Sequence, residues 1–131
     1  MHMRILVVDD NQRVRRGVMR LIVSVKGWEV CGEASDGAEA LEKARDLQPD
    51  LVIVDVRMPG VGGLEAARLL RQELPHTKIL IMSQYDPVHV LPGALEAGTH
   101  ACVDKSRLGY DLLPAIKAVT GDRGVQQVAG S

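Results

Sequence analysis

The chain has 131 residues, of which 46% are hydrophobic and 25% charged, with a formal net charge of −1. That is the size of one domain, apolar enough to bury a core without disulfide or metal support. A near-neutral balance without a basic run argues against nucleic acid or an anionic membrane as a direct partner, and no apolar run approaches a membrane span.

Residues 4–8 carry a buried-strand run, Ile5-Leu6-Val7-Val8, ended by Asp9-Asp10-Asn11. A helical pattern follows. Val14, Val18, Leu21, Ile22 and Val25 share one face, Arg13, Arg16 and Arg20 fall mostly away from it, and Gly27 is expected to end it. Residues 29–34 read as an edge strand, since they are polar and include Gly32. Asp36 then caps a helix, with Glu39 at the reciprocal position. Ala38, Leu41 and Ala44 form its apolar side, and Pro49 stops it.

Leu51-Val52-Ile53-Val54 is mostly β-branched and reads as a strand buried on both faces. Asp55 follows abruptly, and Pro59-Gly60 turns the chain. A third helix is expected over 64–74, then a strand over 78–82 ending in Ser83, then a fourth helix over 87–97. Pro92-Gly93 falls inside that helix, so it is expected to start late, kink or be disordered. A short strand at 101–103 leads to Asp104-Lys105-Ser106, and a fifth helix covers 110–119. The polar, glycine-rich end reads as a linker or tail.

Five β-α units specify an open, doubly wound α/β sheet, whose ligand crevice lies beyond the carboxyl ends of the strands. Asp9, Asp10, Asp55, Ser83 and Lys105 all fall at such ends. Three crowded carboxylates need a proton or a cation, and all-oxygen ligands with room for water suit Mg²⁺. With an ammonium and a hydroxyl added, the set suits phosphoryl transfer onto a carboxylate, Asp55 attacking in line.

Asp9-Asp10, Asp55 with Met58-Pro59-Gly60, Ser83, Lys105 and the run Ala94-Leu95-Glu96-Ala97-Gly98 resemble the response-regulator receiver domain of bacterial two-component systems. Asp55-Val56-Arg57-Met58-Pro59-Gly60 and Leu112-Leu113-Pro114-Ala115-Ile116 resemble the LuxR/NarL type. The resemblance implies a flavodoxin-like (β/α)5 domain over residues 3–121, in strand order 2-1-3-4-5, with 122–131 as linker or tail. It implies that Asp55 accepts a phosphoryl group from a sensor histidine kinase. Asp10, Asp55 and the backbone carbonyl of Arg57 would hold Mg²⁺ directly, and Asp9 through water. Lys105 would pair with the phosphoryl oxygens, and Ser83 would move toward them. The domain would then be a cytoplasmic switch with slow self-dephosphorylation, not a turnover enzyme. It would dimerise on phosphorylation and reach DNA only through a helix-turn-helix domain outside this chain.

Cys102 stands where receivers carry an aromatic ring, and Ser106 where proline is frequent. Tyr85 is therefore expected to carry the structural change, together with the fourth helix. Cys31 and Cys102 read as reduced, small core residues, Trp28 as a packing residue, and the four histidines show no metal spacing. His2-Met3 and Gly130-Ser131 look like cloning remnants, so a piece of a longer protein is expected. Three other readings compete. An aspartate-nucleophile phosphatase would need an acid where Arg57 stands, an unphosphorylated interaction module would lack one of Asp10, Asp55 or Lys105, and a stand-alone relay receiver fits the same residues.

Overall fold

Every residue of Leu51–Asp55 is buried, and this strand lies at the centre of the sheet. The computed structural model describes residues 2–57, 60, 62–84 and 99–121. Strands β1 (Met3–Val8), β2 (Trp28–Ala34), β3 (Leu51–Asp55), β4 (Lys78–Ser83) and β5 (Ala101–Asp104) pair in the order β2-β1-β3-β4-β5, all parallel. The described helices are α1 (Gln12–Val23), α2 (Gly37–Leu47), α3 (Gly63–Glu73) and α4 (Leu108–Thr120). A 3-10 turn at Lys105–Arg107 leads into α4. This is the doubly wound sheet that the β-α alternation implied. Among the described residues, no helix is long and apolar enough to cross a membrane.

The strand side chains alternate between two core layers. Leu6, Val8, Val52, Val54, Ile79 and Ile81 pack with α2 and α3. Ile5, Val7, Leu51, Ile53, Leu80 and Met82 pack with α1 and α4. Each such side chain contributes roughly 1.5–3 kcal/mol of burial free energy. β2 is an edge strand, as its polar residues and Gly32 implied. Its pairing skips Cys31 between Val30 and Gly32, a bulge of the kind common at edges.

Three local expectations need correction. α1 ends at Val23, ahead of Gly27. The Ser24 N–H and Oγ both donate to the Leu21 carbonyl, at 3.3 and 2.5 Å, closing the last turn, and Val25 packs on the core from outside the helix. In α2 the buried small residues are Gly37, Ala40 and Ala44 with Leu41, whereas Ala38 is exposed. Cys31 and Cys102 are half-buried at the two sheet edges, and burial raises both thiol pKa values. Trp28 is buried, in line with a packing role. The fourth helix at 87–97, Pro92, Tyr85 and the tail at 122–131 lie outside the described residues.

Candidate phosphoacceptor and metal site

Pairing of β1 with β3 brings the ends of the two strands together. One carboxylate oxygen from each of Asp9, Asp10 and Asp55 lies within 4.8 Å of the others. Asp9 and Asp55 are buried, whereas Asp10 is exposed. The three carboxylates that the sequence singled out therefore do converge.

Asp9 is held at its backbone N–H, its carbonyl and one carboxylate oxygen. Its N–H donates to the Ala34 carbonyl at 3.0 Å, and its own carbonyl accepts from Arg15 Nη1 at 2.5 Å. Its Oδ1 accepts from the Asn11 N–H at 2.8 Å. Asn11 in turn caps α1, accepting from the amides of Arg13 and Val14. Asp9 Oδ2 is buried and accepts no well-directed hydrogen bond, although Lys105 Nζ lies 2.8 Å away. The contact is an ion pair, and it leaves lone pairs of that oxygen uncommitted.

Lys105 Nζ also lies 3.4 Å from Asp55 Oδ1. The lysine is placed by its neighbour Asp104, which caps the 3-10 turn and accepts from the Ser106 N–H at 2.8 Å and Oγ at 2.7 Å. Burial works against the ammonium, but the Asp9 bond and the charges of Asp55 and Asp9 outweigh it and hold the lysine above its ordinary pKa. Burial first, and then the Asp9 charge, push the Asp55 carboxyl upward. Lys105 and the Arg57 N–H pull it the other way without cancelling the rise. An acid held above its usual range is a group whose charge is under-compensated.

The end of β3 is positioned partly by a missing side chain. A Cβ on Gly63 would lie 1.9 Å from the Asp55 carbonyl oxygen, so only glycine lets the start of α3 approach that strand. The Gly63 N–H donates to the Val56 carbonyl at 3.0 Å and seals the contact.

A cleft opens over these groups, lined by Asp10, Asp55, Arg57, Gln84, Lys105 and Ser106, among others. Ser83 closes β4, is buried, and stands in register with Asp104. Gln84, one residue on, is the β4-end side chain on the cleft wall. Sequence reasoning did not single out Gln84, Arg15 or Gly63 for this site. Gln84 and Gly63 read as loop residues, and Arg15 as one of several arginines on a helix.

The donor set fits a hard divalent cation. It offers oxygen only, one member faces solvent, and buried Asp9 Oδ2 lacks a directed donor. Two like charges at such range are stabilised by a cation more than by one shared lysine.

Residues 5–117 match the family model described as the response regulator receiver domain. The response regulator GacA of Pseudomonas viridiflava is 39% identical over 116 residues, covering 88% of this chain and 54% of that protein. The chain thus spans about half the length of the curated relatives it matches. A LuxR-family two-component response regulator from Aurantimonas sp. SI85-9A1 superposes with a TM-score of 0.88 at 38% identity, covering 93% of this chain and 87% of that one. The signal receiver domain of the response regulator NarL from Mycobacterium tuberculosis gives 0.84 at 33% identity, covering 92% and 97%. With its strand order and clustered acids, the chain belongs to the response-regulator receiver family.

Proposed function

We propose that this receiver domain is a cytoplasmic switch in which Asp55 takes a phosphoryl group from a phosphohistidine on a sensor histidine kinase. The observation that carries the reading is the convergence of Asp9, Asp10 and Lys105 on Asp55 beside an open cleft. An Asp55 carboxylate oxygen attacks phosphorus as the P–N bond breaks. The electron pair leaves on the imidazole nitrogen, which then takes a proton. Lys105 lies close enough to Asp55 to follow the transferred oxygens. Asp10, Asp55 and the Arg57 backbone carbonyl would hold Mg²⁺, with Asp9 acting through water. When bound, the ion neutralises charge on the phosphoryl oxygens.

Ser83 sits at the end of β4, from where a small shift toward the new phosphoryl group would reach the neighbouring surface. The output is a change in that surface. It controls a helix-turn-helix regulator domain outside this chain, through dimerisation on phosphorylation. The relatives' greater length and the LuxR-family neighbour support this part of the reading.

Incubation with Mg²⁺ and a small acyl phosphate tests it. Mass spectrometry should show one added phosphoryl group, lost in base and absent from Asp55→Asn. Full labelling of that variant overturns the assignment.

A further inference from the structure

We infer that Arg15 is a positioning residue of the metal site: its guanidinium fixes the Asp9–Asp10 peptide so that the Asp10 carboxylate faces Asp9 and Asp55. The inference rests on the Mg²⁺ reading given above. Arg15 is anchored at its other end, since Nε donates to Glu33 Oε1 at 2.7 Å while Nη1 donates to the Asp9 carbonyl. The side chain is only 14% exposed, so this fork is not one of many solvated conformers. The grip matters because of which carbonyl is held. The Asp9 carbonyl belongs to the plane of the Asp9–Asp10 peptide, and that plane fixes the Asp10 N–Cα bond from which its side chain projects. Asp9 is already fixed by Ala34, Asn11 and Lys105. Asp10 is exposed, and its carboxylate makes no hydrogen bond or ion pair among the described residues, so its placement depends on the backbone that carries it.

Glu33 is itself held near the site. It lies in β2 in register with Val7, and its carbonyl accepts from Lys43 Nζ of α2. Arg15 thereby ties α1, the end of β1 and the end of β2 into one unit behind the carboxylates. Groups that orient a metal ligand from behind typically change affinity by about 10–100-fold when removed. A lysine could supply the charge but not the two-pronged fork.

The test is Mg²⁺ affinity by calorimetry at a temperature where each variant is folded, for wild type, Arg15→Ala, Arg15→Lys and Lys43→Ala. Lys43→Ala removes a contact to the same strand end without touching Asp9, so it reports a merely structural loss. Arg15→Ala should bind Mg²⁺ about tenfold more weakly. Arg15→Lys should recover only part of this, and Lys43→Ala should match wild type. Equal affinity in wild type and Arg15→Ala overturns the inference, as does an equal loss in Lys43→Ala. If wild type does not bind Mg²⁺, it is the metal reading that fails. Amide exchange of Asn11, whose N–H is bonded to Asp9, then decides the role of Arg15. Faster exchange in Arg15→Ala alone supports the peptide-holding role, and unchanged exchange removes it.

Discussion

Lys105 lies nearer to Asp9 than to Asp55, at 2.8 against 3.4 Å, and Asp9 is the carboxylate with no exposure at all. The geometry thus gives the lysine a structural task beside the chemical one proposed for it. Lys105→Met keeps the aliphatic stem and deletes the charge, leaving two buried carboxylates facing each other. Breaking a buried pair from one side costs about 3–5 kcal/mol. We expect a loss near the lower end, because Asp10 and the cleft admit water. Mg²⁺ should restore part of it. Urea unfolding with and without Mg²⁺ checks both, and a loss indifferent to Mg²⁺ rules out this account.

Asp55 supplies a pH dependence whose sign can be worked out. Its folded pKa is raised above the ordinary 3.8, by burial first and Asp9 second. The folded chain therefore binds this proton more tightly than the unfolded chain. Below the ordinary value the group costs nothing; as pH rises above it the group becomes destabilising, and the cost is complete once pH has passed the shifted value. In metal-free buffer, Asp55→Asn should gain stability relative to wild type as pH climbs from the acid side to neutrality. Added Mg²⁺ should narrow the gap. Parallel stability–pH curves for the two proteins contradict the shift.

Gln48 closes α2 in the left-handed region at φ 50, a conformation disfavoured for a residue with a Cβ. Gln48→Gly should relieve that strain, partly offset by greater freedom in the unfolded chain. The net gain should be about 0.5 kcal/mol. The change forfeits the side-chain bond from Nε2 to the Arg45 carbonyl, which is exposed and worth little. A lower midpoint in thermal unfolding shows that the bond outweighs the backbone strain.

Much of the site was legible because it is written in local runs. Ile5-Leu6-Val7-Val8 and Leu51-Val52-Ile53-Val54 mark central strands, and the acids after them fall at strand ends by sequence alone. What escaped depends on contacts distant in sequence. Arg15 acts through Glu33 of β2, eighteen positions away, and helical spacing cannot report that. Alanines carry little amphipathic signal, which is why Ala38 reads as inward-facing although Ala40 is the buried one. Val25 continued the apolar period of α1 although the helix had already closed at Ser24. Gly63 is the sharpest case, since its role is visible only once α3 is laid against β3.

Gly63→Ala tests whether that close approach positions the acceptor. The added Cβ would meet the Asp55 carbonyl oxygen at 1.9 Å and the Asp55 carbonyl carbon at 2.7 Å. Both are backbone atoms, so no side-chain rotation relieves the clash. Either the start of α3 lifts away, losing the 3.0 Å bond from the Gly63 N–H to Val56, or the end of β3 is displaced. Overpacking of this kind costs about 1–3 kcal/mol, and a backbone-to-backbone clash belongs at the upper end. The functional consequence follows from geometry. A shift of about 1 Å at a reacting group can slow chemistry by about 100-fold. Phosphorylation of Asp55 by a small acyl phosphate should therefore slow in Gly63→Ala, even at temperatures where the variant is fully folded. Gly62→Ala is the control, since its Cβ would come no closer than 3.8 Å to the Val56 carbonyl. Stability loss in Gly63→Ala with an unaltered phosphorylation rate places the strain in α3 alone and removes Gly63 from the positioning of Asp55.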